Sequence, residues 1–131
     1  MVKKKIFIFE RDIMFGAIQI RERYLKSRLF KIEGYCPEGR TFIKYPWAGR
    51  IGQIPLEKIP GGYDYYVMHY SLVSRQALKN LREANSQAWI GLRLTEGEKV
   101  FTREGLEDVV DLVGISINKF FDEIERIENA N

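Results

Sequence analysis

The sequence has one cysteine and one histidine, Cys36 and His69. A single cysteine excludes an internal disulfide and any zinc site built on cysteine pairs. A single histidine excludes a multi-histidine metal site within one chain, so no metal is expected. A glycine-rich phosphate loop is also missing. Gly61-Gly62 precedes an apolar run that reads as a strand, whereas a phosphate loop opens a helix. No cofactor is expected. No apolar run approaches the length of a membrane span, about 20 residues. The opening Met1-Val2-Lys3-Lys4-Lys5 is basic, and the apolar Ile6-Phe7-Ile8-Phe9 that follows stops at Glu10. That is short of the h-region of a secretory signal, about 7–15 residues. These shortages point to a cytoplasmic protein with no membrane partner.

What is present fits a globular chain. There are 131 residues, of which 45% are apolar and 13% aromatic, enough for one domain with a real core. The net charge is only +3. Asn and Gln are few, while Ile, Lys, Arg and Glu are plentiful, a balance that leans towards a thermophilic source. In this style the whole chain resembles the small orphan proteins of hyperthermophilic archaea and their viruses. If the source is viral, the resemblance implies the host cytoplasm as its location.

The chain is organised around Tyr63 to Tyr70, Tyr-Asp-Tyr-Tyr-Val-Met-His-Tyr. It follows the break Pro60-Gly61-Gly62 and precedes a helical pattern. A short apolar run so placed predicts a strand buried on both faces and central in a sheet, with Tyr66 and Met68 on one side and Val67 and His69 on the other. Before it, Lys4 to Phe9 reads as a strand, 13–27 as a helix, Leu29 to Tyr35 as a strand, Cys36-Pro37-Glu38-Gly39 as a turn and Thr41 to Tyr45 as a strand. Residues 46–62 are irregular. After it, Leu72 to Ala84 reads as a helix, Ala88 to Leu94 as a strand, Thr95-Glu96-Gly97-Glu98 as a turn and Lys99 to Thr102 as a strand. Two helices, 103–113 and 116–128, close the chain, split by Gly114. Residues 4–45 and 63–102 thus repeat one pattern. The expected fold is α+β or α/β: a mixed sheet with two packed helices from two βαββ-like halves, plus a C-terminal helical hairpin. Residues 1–102 would form the sheet domain, with 103–131 packed on it as one compact unit.

Three places are able to carry chemistry. In the first, Val110, Gly114, Ile115, Ser116, Phe120 and Ile124 have the spacing of a helix-turn-helix core, and residues 106–124 resemble that DNA-binding family. The resemblance implies that Gly114 makes the turn and Ser116 caps the recognition helix. Residues 103–131 carry three bases and eight acids, 3 − 8 = −5, a poor match to phosphates. The plainer reading is a helical hairpin with a buried apolar stripe, able to dimerise through Ile117, Phe120, Ile124 and Ile127. The second place is the segment 21–50, with eight bases and three acids, 8 − 3 = +5. There Arg40, Lys44 and Arg50 interleave with Phe42, Tyr45 and Trp47, giving charge for phosphate and rings for bases. The plainer reading is a solvated basic face, or one that docks the acidic C-terminal segment. The third is a strand-end cluster, Glu10, Arg11, Asp12, His69, Ser71 and Arg75. These groups converge if their strands are parallel neighbours, since ligands of open α/β sheets sit at the carboxyl ends of strands. Read plainly, Asp12 and Ser71 are helix caps and His69 an ordinary strand residue.

The leading expectation is a small nucleic-acid-associated protein, regulatory rather than catalytic, binding single-stranded or duplex nucleic acid through Arg40, Phe42, Lys44, Tyr45, Trp47 and Arg50. The alternatives are a homodimeric interaction or structural protein, and a nucleotide-binding sensor or enzyme at the strand-end cluster.

Overall fold

A computed structural model describes residues 3–10, 21, 30–37, 50–54, 59–94 and 105–130, with backbone alone at 36, 37 and 50–54. Six strands form one sheet: β1 (Lys4–Phe9), β2 (Phe30–Pro37), β3 (Arg50–Ile54), β4 (Tyr65–His69), β5 (Trp89–Arg93) and β6 (Leu112–Gly114). Their spatial order is β3-β2-β1-β4-β5-β6. Every pairing is parallel. The expected mixed sheet is therefore corrected for the described strands. Parallel neighbours need long crossovers, so tight turns at 36–39 and 95–98 cannot link any of these pairs. The hairpin strands expected at 41–45 and 99–102 lie outside the described residues, as does most of the helix at 13–27, of which Arg21 is described and helical.

β1 and β4 are the middle pair, with Ile6 opposite Tyr65 and Phe9 opposite Met68. Both are buried on both faces, which explains why neither shows a clean polar alternation. One face of the sheet presents Ile6, Ile8, Phe30, Ile32, Tyr65 and Val67. The other presents Phe7, Phe9, Tyr35, Tyr66, Met68, Ile90 and Leu92. Tyr66 and Met68 thus lie opposite Val67, as the period of 2 requires.

Helix α1 (Arg75–Ala84) covers the second face with Ala77, Leu78 and Leu81. Its expected start at Leu72 moves to Arg75. Tyr70–Leu72 form a separate 3-10 turn, and the Ser74 hydroxyl caps α1 by accepting from the Ala77 N–H at 3.0 Å. Helix α2 (Ile117–Asn129) covers the first face with Ile117, Phe120, Phe121 and Ile124. The Phe120 ring lies directly on β5. A Cβ built on Gly91 would stand 2.6 Å from Phe120 Cδ1 and 2.8 Å from Trp89 Cζ3, so only glycine admits the helix this close.

The expected C-terminal hairpin is not formed. Instead of a helix through 113, the chain makes turns over Leu106–Val109 and then joins the sheet as β6. The physical cause is Asp111. Its carboxylate accepts from the Ile90 N–H and from Arg82, each at 2.8 Å, while the Asp111 N–H donates to the Ile90 carbonyl at 2.7 Å. Leu106 and Val110 still find a core, but on the α1 face, whereas Phe120 and Ile124 fill the α2 face. The sheet separates residues that a helix-turn-helix must pack together. Gly114-Ile115-Ser116 leads from a strand into a helix, and Ser116 occupies the N-cap position without a side-chain cap bond.

Candidate functional site at the carboxyl ends of the strands

The strand order reverses between β1 and β4. From there one half of the sheet runs outward through β2 and β3, and the other through β5 and β6. This is the strand order of doubly wound nucleotide-binding sheets, in which the crevice at the reversal point takes the ligand. The order alone decides nothing about function, which rests on the residues at that end.

Along β1, Ile8 faces α2 and Phe9 faces α1, so Glu10, the next residue, returns to the α2 side. His69 follows Met68 and Arg93 follows Leu92 in the same way. Pairing of Phe9 with Met68 and of His69 with Arg93 puts Glu10, His69 and Arg93 in one row at the carboxyl end. Glu10 and His69 are fully buried, and Arg93 is 8% exposed. The Glu10 carboxylate accepts from Arg93 Nε and, at 3.0 Å, from Nη2. The arginine also donates from Nη1 to the Ile115 carbonyl at 3.2 Å. Because β4 is the strand between β1 and β5, this bidentate pair straps across the end of β4, where His69 stands. A buried ion pair is costly to desolvate and holds only when both partners are present with good geometry.

His69 closes the 3-10 turn. Its Nδ1 accepts from the Ser71 N–H at 3.2 Å and lies 2.6 Å from Ser71 Oγ. Ser71 is exposed. Both described α-helices begin at this end of the sheet. α1 follows β4 and α2 follows β6. Neither has an acid in its first turn, and exposed Arg75 and Lys119 stand there instead. The positive helix ends are thus reinforced by cations, which favours an anion at this end of the molecule.

Four of the six expected strand-end residues are therefore brought to this end: Glu10, His69, Ser71 and Arg75. Arg11 and Asp12 lie outside the described residues. Arg93 was missed. Its signal was a base closing the apolar run of β5, legible only once β5 is known to lie beside β4. Of the expected nucleic-acid residues, Arg40, Phe42, Lys44, Tyr45 and Trp47 lie outside the described residues, and Arg50 opens β3 with only its backbone described. Two bases of segment 21–50 have described side chains. Arg21 pairs with Asp122 and Glu125 of α2 and sits 5.6 Å from the Phe121 ring centroid. Lys31 lies 3.5 Å from Glu33. Arg21 thus docks on the acidic helix. Ile117, Phe120 and Ile124, expected at a dimer interface, are enclosed within the chain, and Ile127 packs at their rim.

Two further polar clusters are tied into the core. The Tyr63 hydroxyl donates to buried Glu33, which also accepts from Tyr35 at 3.4 Å, and the Tyr65 hydroxyl donates to Glu128. Burial pushes the Tyr63 and Tyr65 phenols well up, and the carboxylates they face push them further. They remain neutral donors. At the amino ends of the strands, clefts of about 370 and 350 Å³ share Ser86, Gln87 and Ala88 in their walls. Arg82, in the wall of the smaller one, is committed to the carbonyls of Val109 and Ser86, at 3.1 and 3.2 Å, and to Asp111. Among the described residues no group of three His, Cys, Asp or Glu is placed to hold a metal ion. No described helix is long and apolar enough to cross a membrane. Comparison with protein-family models, curated proteins and solved structures gives no match.

Proposed function

We propose that the protein is a nucleotide-binding sensor that takes a phosphate-bearing ligand at the carboxyl ends of β1, β4 and β5. The observation that carries this reading is the buried Glu10–His69–Arg93 row at the point where the strand order reverses. A fold gains nothing in stability from a buried ion pair that apolar side chains would not supply, so a row of three such groups in one place favours use. The helix starts with Arg75 and Lys119 supply the complement to phosphate, and exposed Ser71 supplies a hydroxyl. The lack of a glycine-rich loop argues against the dinucleotide fingerprint and for a mononucleotide held by side chains. Calorimetric titration with ATP, GTP and NAD tests this. One-site binding by a nucleotide, weakened at least tenfold by Arg75→Ala with Lys119→Ala, is expected. No binding of any nucleotide at millimolar concentration would sink the reading.

A second reading is favoured by the charge of segment 21–50. In it the protein is nucleic-acid-associated and non-catalytic, with Arg40, Lys44 and Arg50 on phosphates. Labelled DNA and RNA, titrated across salt, separate the two. Neutralising those three bases should flatten the salt dependence if this reading holds, because fewer counterions are released. If neither ligand binds, a structural or homodimeric interaction protein takes their place.

A further inference from the structure

A backbone N–H has no lone pair and can only donate. Since the Ser71 N–H points at His69 Nδ1 from 3.2 Å, Nδ1 must carry the lone pair, and the neutral ring holds its proton on Nε2. It follows that the 2.6 Å contact between Ser71 Oγ and the same Nδ1 has one direction: the hydroxyl donates to the imidazole. The ring is fully buried and the serine exposed. Ser71 therefore lies at the surface while its hydroxyl proton is held by a base inside the protein. That is the arrangement of an activated nucleophile with its general base, at the end of the sheet where the Glu10 and Arg93 pair fixes the neighbouring strands.

We propose that Ser71 is a nucleophilic hydroxyl that accepts a phosphoryl group from a nucleoside triphosphate, with His69 taking its proton. The donor rests on the nucleotide reading above; the reactivity of the hydroxyl does not. In the step, Ser71 Oγ attacks the terminal phosphorus and an Oγ–P bond forms. The bond from that phosphorus to the bridging oxygen breaks, and its electron pair leaves with the nucleoside diphosphate. The hydroxyl proton passes to His69 Nδ1. The charge balances: the triphosphate loses one negative charge on becoming diphosphate, the phosphoserine gains two, and the imidazolium gains one positive. Glu10 and Arg93 flank His69 from the neighbouring strands and neutralise each other, so the pair fixes the surroundings of the ring and adds no net charge to it. Arg75, four residues beyond Ser71, opens α1 at the same end of the sheet.

Two measurements test this. In a Cys36→Ser background, Ser71→Cys puts a thiol in place of the hydroxyl, and iodoacetamide alkylation is followed against pH. A thiol whose proton His69 accepts should be half-reactive at least one pH unit below the ordinary value of about 8.5. His69→Gln in the same background should return it to that value. A half-reactive point at or above the ordinary value, with His69 present and the fold intact by circular dichroism, overturns the nucleophile and leaves nucleotide binding untouched. The second measurement incubates the unaltered protein with ATP and magnesium and reads the mass of the peptide containing Ser71. A single added phosphoryl group on Ser71, lost in Ser71→Ala, is expected. An activated thiol together with an unmodified Ser71 overturns phosphoryl transfer from the triphosphate and counts against the nucleotide reading itself.

Discussion

Two arginines sit at opposite ends of the sheet and do different things. Arg82, at the amino end, spends its donors on main-chain carbonyls of the loops around it and on Asp111, with a side chain 19% exposed. Arg93, at the carboxyl end, spends most of its donors on one buried carboxylate from two strands away. The first closes loops whose carbonyls would otherwise need water, which is ordinary upkeep of a fold. The second holds a charge where a leucine and a methionine would pack. The difference suggests where to look for chemistry: at charges that the fold does not require.

That contrast can be broken experimentally. The largest effect is expected at the carboxyl end. Arg93→Met should cost about 3–5 kcal/mol in urea unfolding, because it strands a buried Glu10. Adding Glu10→Leu should restore most of that loss, and a double variant no more stable than the single one would mean the pair is required by the fold after all. A comparable loss, about 3–5 kcal/mol, is expected for Phe120→Ala, whose ring is fully enclosed between Gly91 and Trp89. If α2 were loosely laid on the sheet, the loss would fall below about 1 kcal/mol. Arg82→Ala should cost less, about 1–3 kcal/mol, since its half-exposed loops can take up water in its place. It should also leave nucleotide affinity unchanged, the clearest separation of the two arginines.

The smallest effect concerns the tyrosines. Tyr65→Phe should cost about 0.5–1.5 kcal/mol at neutral pH, the net value of one hydrogen bond. Its pH dependence is more telling. Burial first, with the facing carboxylates second, raises the Tyr63 and Tyr65 phenols above the unfolded value of about 10. The folded state therefore keeps these protons when the unfolded chain has lost them. Stability is fully present below about pH 10 and falls as the pH rises above it. Denaturation followed from pH 8 to 11 should show that decline, with a shallower slope in Tyr65→Phe. An unchanged slope would mean that other groups dominate alkaline unfolding.

Much of the sheet was legible in the sequence. Lys4–Phe9, the central Tyr65–His69 with its facing, and Trp89–Arg93 were expected within a residue or two, because short apolar runs between breaks have few other uses. The C-terminal segment was misread for a specific reason. Leu106, Val109, Val110 and Val113 have helical spacing, but the partners that decide the outcome, Arg82 and the Ile90 N–H, lie far back in the chain. Gly105 at a φ of +80° marks the break in retrospect. The candidate site was half legible. Glu10, His69, Ser71 and Arg75 were named from their position at strand ends, yet their convergence depended on parallel neighbours. Arg93 could not be named at all, since strand order is a long-range property that no local spacing carries.

The parallel sheet also sets the order of events in folding. Among the described strands none pairs with its neighbour through a tight turn, so each of these pairings waits on the closure of a long loop. The middle pair waits longest: Lys5 and Asp64, which bond across it, are 59 positions apart. Loop-closure entropy must be met before that contact returns anything, so a topology of this kind folds more slowly than a helical bundle of the same size. During synthesis β1 leaves the ribosome as a bare apolar edge and stays so until β2 or β4 arrives. Lys3, Lys4 and Lys5, exposed at its start, place charge beside that edge during the interval when a second nascent chain would otherwise add to it.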